Sequence, residues 1–297
     1  METNGQLVAL GTALCWTLTA LFFEAAGRRI GSLALNLLRL LLGLVMLSVY
    51  TLIRFSTPLP FQAAPAVWGW LLLSGLSGLA LGDLFLFRAF TLIGARRSML
   101  IYASVPVLTT LLGMLLLGEF PHGIAVLGMF LTIGGIALVI LFKPGKREKD
   151  KPVSPAGVAF AFGGALGQAV GLILTKQGMP ASMDPFSANQ IRSIGGILGL
   201  SAAFFVMRRW HKVAEAFHHP RALGMMSGGA FFGPFLGVSL SLLALQLTTA
   251  GIASTIMSIV PVLIIPFSVF LFREKVKFLE VLGAFIAIGG VALQFLR

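Results

Sequence analysis

The sequence Gly128-Met-Phe-Leu-Thr-Ile-Gly-Gly-Ile-Ala-Leu138 returns about 155 residues later as Gly283-Ala-Phe-Ile-Ala-Ile-Gly-Gly-Val-Ala-Leu293. A long spacing that recurs in several apolar segments indicates that one structural unit is encoded twice. Two further pairs share the spacing: Val105–Leu108 with Val260–Leu263, each followed by a glutamate (Glu119 and Glu274), and Asn36-x-x-Arg39 with Asn189-x-x-Arg192. The chain is therefore an internal duplication.

The composition indicates a membrane protein. Of the 297 residues, 57% are hydrophobic and only 11% are charged, whereas a soluble domain carries about a quarter charged residues. Apolar runs of the roughly twenty residues that a spanning helix needs occur ten times. Long continuous runs favour helices over a barrel, whose strands alternate in polarity. The predicted spans are Gln6–Ala26, Ser32–Ile53, Ala66–Phe87, Arg97–Leu117, Gly123–Leu141, Gly157–Thr175, Pro185–Met207, Ala222–Leu245, Gly251–Phe272 and Phe278–Leu296.

The duplication divides these spans into two units of five. We predict a first repeat over residues 1–142, a charged cytoplasmic linker over 143–155, and a second repeat over 156–297. An odd number of spans forces the second repeat to cross the membrane upside down. The predicted fold is an all-α integral membrane protein with ten transmembrane helices as two inverted five-helix repeats. Inverted repeats are typical of secondary transporters, which bind substrate near the midplane where the repeats meet.

The charge distribution predicts an orientation. Lys and Arg number 22 against 10 Asp and Glu, a net charge of +12, which in a soluble protein would suggest a nucleic-acid partner. Here most basic residues lie in alternate loops, whereas the opposite loops and the termini hold only Arg54, Lys176 and Arg297. The positive-inside rule places the basic loops in the cytoplasm and both termini outside. We expect a lipid bilayer and a small-molecule substrate as partners, and no nucleic acid.

The matched segments resemble the EamA domain of the drug/metabolite transporter superfamily. The resemblance rests on an arginine in the second helix, a proline and a later glutamate in the fourth, and a glycine-rich fifth helix. The stretch Gly82-Asp83-Leu-Phe-Leu-Phe-Arg88-Ala89 is similar to the third helix of that domain. The resemblance covers nearly the whole chain and implies a ten-helix, exporter-type carrier for amino acids or related metabolites in a cell inner membrane. It also implies no catalytic chemistry and no cofactor.

Arg39 and Asp83 are ionisable residues inside predicted spans, where a charge is costly and marks a functional candidate. Arg39 lies roughly 10 Å from the cytoplasmic start of its helix, and Asp83 lies in the same half of its own helix. We expect the two residues to pair, and substrate or proton binding at Asp83 to break the pair during transport. The alternatives are a fixed structural ion pair, or snorkelling of Arg39 to the interface.

Arg192 is the repeat mate of Arg39, but the mate of Asp83 falls near Val238, so Arg192 inherits no acid partner. An unpaired guanidinium in a cavity suits a substrate carboxylate or phosphate. Backbone carbonyls at a broken helix are the alternative partners. Asn36 and Asn189 share a helix face with the two arginines, and between a place in the cavity and hydrogen bonds to other helices we favour the second.

Further candidates for the substrate site are polar-edged side chains at a suitable depth, for which packing between helices is an equally good interpretation: Trp16, Tyr102, Gln168 and Gln246. Pro106 and Pro261 recur in both repeats. Because proline frees carbonyls three or four residues earlier, we predict matched kinks or hinges at these two positions. Glu119 and Glu274 lie near helix ends, where we expect structural roles.

Other functions have less support in the sequence. The single cysteine, Cys15, excludes an intrachain disulfide. The four histidines lie in or beside loops without the clustered acids that a metal site or an acid–base enzyme needs, and no P-loop motif is present. We predict no metal and no cofactor. A membrane-embedded enzyme, a lipid-handling protein, a channel and a receptor are the alternatives.

The predicted function is a secondary transporter that moves a small metabolite, such as an amino acid, by alternating access, with export favoured by the family resemblance. One buried acid permits proton antiport, and facilitated diffusion or exchange needs no such group. A monomer carries all the spans that the pathway needs, and a homo-oligomer is left open.

Overall fold

The structure is a computed structural model that describes residues 2–93, 95–142, 154–272 and 277–295. The described residues are almost entirely helical and contain no β-strand. Their α-helices are α1 (Glu2–Ile30), α2 (Ser32–Phe55), α3 (Pro65–Gly75), α4 (Asp83–Ile93), α5 (Ala95–Tyr102), α6 (Val105–Leu117), α7 (Gly123–Phe142), α8 (Pro155–Gly178), α9 (Pro185–Met207), α10 (His211–Ala216), α11 (Pro220–Ala230), α12 (Val238–Leu247), α13 (Ala250–Met257), α14 (Val260–Phe272) and α15 (Phe278–Gln294).

Nine stretches of the described chain are long and apolar enough to cross a membrane. They are Thr3–Gly27, Ser32–Phe55, Pro65–Ile93, Ser98–Leu117, Gly123–Leu141, Pro155–Gly178, Pro185–Met207, Pro220–Leu247 and Ala250–Phe267. The tenth predicted span is present as α15, a shorter apolar helix of 17 residues. Its expected end at Leu296, the linker residues 143–153 and Glu274 lie outside the described residues. The prediction of an all-helical, multi-pass membrane protein is confirmed, with nine spans by this criterion.

The third and eighth spans each contain a seven-residue π-helical segment, π1 (Leu76–Gly82) and π2 (Phe231–Gly237). Each segment ends at a glycine and is followed at once by an α-helix, α4 after π1 and α12 after π2. Pro234 lies inside π2, where its ring nitrogen donates no hydrogen bond. Widened helical turns of this kind are rare and occur frequently at functional sites. The two segments therefore direct attention to the middle of these spans.

The fourth span is broken between α5 and α6, and the ninth between α13 and α14. Pro106 is the second residue of α6, and Pro261 is the second residue of α14. The break precedes each proline, at Ala103–Ser104 and Ser258–Ile259. The prolines therefore begin the second half-helices, in the first turn that proline tolerates, and each lies next to a break in its span.

Helices α7 and α15 touch backbone to backbone through glycines. A Cβ at Gly128 would lie 2.5 Å from the carbonyl oxygen of Gly290, and a Cβ at Gly135 would lie 2.5 Å from that of Gly283. Between these contacts, Thr132 Oγ1 lies 3.5 Å from the Ala287 carbonyl oxygen. Only glycine allows helices to approach this closely, which explains the glycine-rich sequence of both segments.

The remaining spans exchange partners between the two halves of the sequence. Helix α1 packs against α11, π2, α12 and α13, all from the second half of the chain. Helix α8, the first helix of the second half, packs in the same way against α3, π1, α4 and α6. Helices α2 and α9 also pack against each other. This exchange brings π1, π2 and the arginine-bearing helices α2 and α9 together in the interior.

Candidate functional site

Arg39 and Asp83 form an ion pair between the second and third spans. Arg39 Nη2 donates to Asp83 Oδ2, and Arg39 Nε donates to Asn36 Oδ1 over 2.7 Å. The ring of Phe23 covers the guanidinium, with its centroid 5.6 Å from Arg39 Cζ. The side chains of Arg39 and Asp83 are only 19% and 16% exposed. The predicted pairing is present, and Asn36 accepts a hydrogen bond from the arginine one turn later on its own helix.

The pair lies directly beside π1, because Asp83 is the first residue of α4 and follows Gly82. Tyr102, the last residue of α5, lies close enough to interact electrostatically with both Asp83 and Arg39. Three spans therefore contribute to this group: Asn36 and Arg39 from the second, Asp83 from the third, and Tyr102 from the fourth.

Arg192, on α9, has different surroundings. Its side chain is the largest among the fully buried ones, with 1% of the residue exposed, and its Nε is enclosed without a hydrogen-bond partner. Within the described residues, the guanidinium has no ion pair, no hydrogen bond and no aromatic face. Among the described residues, Arg39 therefore has a counter-charge and Arg192 has none.

Gly78 of π1 lies between Arg192 and Gln168. A Cβ at Gly78 would lie 3.6 Å from Arg192 Nη2 and 3.3 Å from Gln168 Oε1. A Cβ at Gly75 would overlap the carbonyl oxygen of Arg192, and one at Gly171 would lie 3.1 Å from Gly78 Cα. The backbones of α3, π1, α8 and α9 are therefore in close contact, and Arg192 and Gln168 meet at π1.

Two of the other predicted site residues hold backbone carbonyls. Asn189 Nδ2 donates to the Pro234 carbonyl oxygen over 2.7 Å and to Ser239 Oγ over 3.0 Å, which is the interhelical bonding favoured from the sequence. Gln246 Nε2 donates to the Met183 and Pro180 carbonyl oxygens over 2.9 Å and 3.2 Å. Asn189 thus compensates the irregular backbone of π2, and Gln246 anchors the loop before α9.

Trp16 lies at the end of π2. A Cβ at Gly237 would lie 2.8 Å from both Nε1 and Cδ1 of the Trp16 indole. Trp16 and Arg192 are therefore placed beside corresponding features, one next to π2 and the other next to π1.

A second ion pair, which the sequence did not predict, joins the ends of α6 and α8 to the start of α13. Lys176 Nζ lies 2.5 Å from Glu119 Oε1 and also donates to the Thr248 carbonyl oxygen. Glu119 Oε2 accepts from the Ala250 backbone N–H over 2.8 Å, at the start of α13. Both side chains are largely buried. We call this group of Glu119, Lys176, Thr248 and Ala250 the clasp.

The sequence feature from which the clasp could have been predicted is the scarcity of basic residues in the loops on its side of the membrane. Those loops hold Lys176 and Arg54 as their basic residues before the C-terminus, so an acid such as Glu119 had few partners available. The structural role expected for Glu119 agrees with its contacts to Lys176 and Ala250.

The EamA-like transporter family matches the chain twice, over residues 3–141 and 155–296. The chain belongs to the EamA-like transporter family.

The family resemblance inferred from the sequence is confirmed, and the protein is a multi-pass membrane transporter of small solutes. One crystal structure of a protein, among 29 similar chains of solved structures, superposes with a TM-score of 0.77 and 17% sequence identity. The match covers 99% of this chain and 96% of that chain, which shows a shared fold. No curated protein matches the sequence.

Three groups of polar side chains in the described part of this EamA-like transporter concern its function. Arg39, Asn36, Asp83 and Tyr102 form the first, and Arg192 and Gln168 beside Gly78 form the second. The clasp is the third group. The described residues contain no group of three His, Cys, Asp or Glu side chains that could hold a metal ion, and Cys15 is buried as a free thiol.

Proposed function

We propose that the protein is a secondary transporter that exports an amino acid or a related small metabolite by alternating access. The observation that carries this proposal is the Arg39–Asp83 ion pair, which lies mostly buried inside the spans of an EamA-like transporter. Ionisable residues in such positions mark substrate or proton pathways. The setting is the inner membrane of a cell, with the basic loops in the cytoplasm and both termini outside.

The transport cycle uses two inverted five-helix repeats, over residues 1–142 and 156–297. The α7–α15 contact supports this arrangement because it is self-complementary. Gly128 contacts Gly290 and Gly135 contacts Gly283. In the repeated sequence Gly283 corresponds to Gly128 and Gly290 to Gly135, so the two contacts are the same contact with the repeats exchanged. A two-fold relation produces this pattern. The exchanged packing of α1 and α8 supports the same relation.

The two ion pairs act at opposite halves of the pathway. Consecutive spans run in opposite directions, so the Arg39–Asp83 pair belongs to the half near the start of α2, and the clasp to the half near the end of α8. Breaking the clasp separates α6, α8 and α13 on the outer side. Breaking the Arg39–Asp83 pair frees α2 from α4 on the cytoplasmic side. The breaks at Ala103–Ser104 and Ser258–Ile259, beside Pro106 and Pro261, serve as the hinges for these movements.

Asp83 is the group at which binding changes the conformation. A proton or a cationic substrate group on Asp83 competes with Arg39 for the same carboxylate, so its arrival weakens the pair. The aromatic and amide groups nearby, Tyr102, Gln168 and Trp16, contribute to the substrate site. Asn189 and Gln246 maintain the backbone that surrounds it.

Counterflow into proteoliposomes of the purified protein tests the proposal. The labelled panel contains amino acids, purines and sugars, each assayed with and without a pH gradient. Saturable exchange of one solute class, absent from protein-free liposomes, is the expected result, and acceleration by the gradient assigns proton coupling to Asp83. Absence of exchange across the whole panel would remove the support for small-metabolite transport.

A further inference from the structure

The guanidinium of Arg192 is a buried charge without a counter-charge among the described residues. An arginine keeps its positive charge at any physiological pH, and a buried charge needs a partner or hydrogen bonds to offset its desolvation. Arg192 is 1% exposed, its Nε lacks an acceptor, and no carboxylate of the described residues approaches it. A bound anion would satisfy the same requirement.

The repeat mate of Arg192 shows what such a partner looks like. Arg39 is also inside a span, but Asn36 accepts from its Nε and Asp83 accepts from its Nη2. At the position in the second half that corresponds to Asp83, α12 begins with Val238. The side chain of Asn189, the mate of Asn36, donates instead to Pro234 and Ser239. The second half therefore contains the equivalent arginine, but neither an acid at the Asp83 position nor an asparagine that accepts from the arginine.

Gly78 of π1 is a close neighbour of the Arg192 guanidinium. Gly78 presents only hydrogen toward Arg192 Nη2 and Gln168 Oε1, at 3.6 Å and 3.3 Å from where its Cβ would be. A longer side chain at this position would extend over the guanidinium. The amide of Gln168 also lies beside Gly78, and its Nε2 is a donor of the kind that an oxyanion needs. A planar guanidinium with two free donors matches the two oxygens of a carboxylate or phosphate.

We propose that Arg192, with Gln168 and Gly78, forms the subsite that binds one oxyanion group, a carboxylate or a phosphate, of the transported substrate. This inference rests on the proposed transport function and gives its substrate a chemical class, a small organic anion. The anion compensates Arg192 only when the substrate is bound. An empty transporter therefore retains a destabilising charge, and the loaded transporter does not.

The first experiment measures thermal unfolding of the detergent-purified protein without a transport assay. Acetate and inorganic phosphate are titrated against chloride at constant ionic strength, for the wild type, Arg192→Gln and the exposed control Arg54→Gln. We expect one of the two anions to raise the Tm of the wild type and of Arg54→Gln, and its affinity to fall at least about tenfold in Arg192→Gln. The anion that acts distinguishes a carboxylate from a phosphate.

The same titration separates a binding role from a structural one. Without an added anion, Arg192→Gln should unfold at a higher temperature than the wild type, because an unpaired buried charge has been removed. A lower Tm in Arg192→Gln together with anion shifts equal to those of the wild type would overturn the proposal. Absence of any shift by acetate or phosphate in the wild type would overturn it as well.

A second pair of variants tests the location of the subsite. Gly78→Leu fills the space beside the guanidinium and should abolish the anion shift. Gly69→Leu is the matched control on α3, where a Cβ would meet no atom within 4 Å, and it should retain the shift. Equal shifts in both variants would place the anion elsewhere.

Counterflow distinguishes failure of this inference from failure of the transport proposal. Exchange of neutral solutes that is unchanged in Arg192→Gln would leave the transporter standing and remove the anion subsite. An anion shift that depends on Arg192, without any counterflow, would retain the subsite and remove the transport function.

Discussion

Arg39 and Arg192 occupy equivalent places in a duplicated sequence, yet their surroundings differ. Arg39 contacts Asn36, Asp83 and the face of Phe23, whereas Arg192 is enclosed without a partner among the described residues. A duplication provides two copies of a side chain, and the residues around each copy need not stay the same.

The sequence predicted much of this difference. The residue that corresponds to Asp83 in the second repeat is a valine, so the sequence already indicated that Arg192 has no equivalent acid partner. The proximity of Arg192 to Gly78 and Gln168 could not be predicted, because it depends on the packing of α8 and α9 against π1 from the other half of the sequence. The clasp was missed for a related reason. Glu119 and Lys176 lie at helix ends, and only the packing of α6 on α8 brings them together.

Removing one partner of the Arg39–Asp83 pair should cost more stability than removing both. Asp83→Asn leaves Arg39 largely buried without a counter-charge, and we expect a loss of about 3 kcal/mol in the free energy of unfolding. The double variant Arg39→Gln with Asp83→Asn should recover most of that loss. Thermal and denaturant unfolding of the purified variants provides the measurement. Additive losses in the double variant would show that the two residues do not interact.

At the scale of helices, the sequence predicted the positions of the spans but not the π-helical segments or the breaks within them. Hydropathy located the spans within a few residues, because burial in lipid requires continuous apolar runs. It did not predict π1 or π2, since a π-helical turn has the same apolar composition as the α-helix around it. The breaks in the fourth and ninth spans are explained by the fixed backbone geometry of proline. Pro106 and Pro261 begin α6 and α14 because a first-turn proline needs no hydrogen-bond donor.

The clasp should control the opening of α13. Glu119→Ala removes both the ion pair with Lys176 and the acceptor for the Ala250 N–H. We expect faster hydrogen–deuterium exchange at the first turn of α13 and at the end of α8, since these helix ends lose their shared anchor. Glu215→Ala, which changes an exposed glutamate of α10, is the control. Unchanged exchange at α13 in Glu119→Ala would argue against the clasp.

The α7–α15 contact offers a matched pair of substitutions. A Cβ at Gly135 would lie 2.5 Å from the Gly283 carbonyl oxygen, whereas a Cβ at the neighbouring Gly134 would meet no atom within 4 Å. Gly135→Leu should destabilise the protein by about 3 kcal/mol or more because two backbones must separate, and Gly134→Leu should change little. The readouts are the yield of monodisperse protein and its Tm. Equal behaviour of the two variants would contradict this helix contact.

The molecule as a whole combines two matching family domains with an asymmetric distribution of charge. The two-fold relation proposed for these domains is supported by the reciprocal contacts of α7 with α15. Charged residues do not follow it: Asp83 and Lys176 lack a charged counterpart at the repeat spacing. The sequence could therefore predict the duplicated domains and the asymmetry of charge, but not which groups face one another across the interior.

The proposed orientation predicts which loops are accessible from outside the cell. In a Cys15→Ser background, a membrane-impermeant maleimide should label Phe61→Cys, in the exposed loop between α2 and α3, on intact cells. It should label His218→Cys, in the basic segment before α11, only after the cells are opened. Both native side chains are exposed. The reverse labelling pattern would place the termini in the cytoplasm.

The most direct test of the proposed mechanism is substrate counterflow as a function of pH in the wild type and in Asp83→Asn. If Asp83 is the group whose occupation breaks the pair with Arg39, exchange should be strongly reduced in Asp83→Asn, and its remaining rate should no longer depend on pH. Glu215→Gln, which changes an exposed carboxylate far from the pair, should behave like the wild type. Normal transport by Asp83→Asn at every pH would show that the Arg39–Asp83 pair is a fixed structural element and that transport proceeds without it.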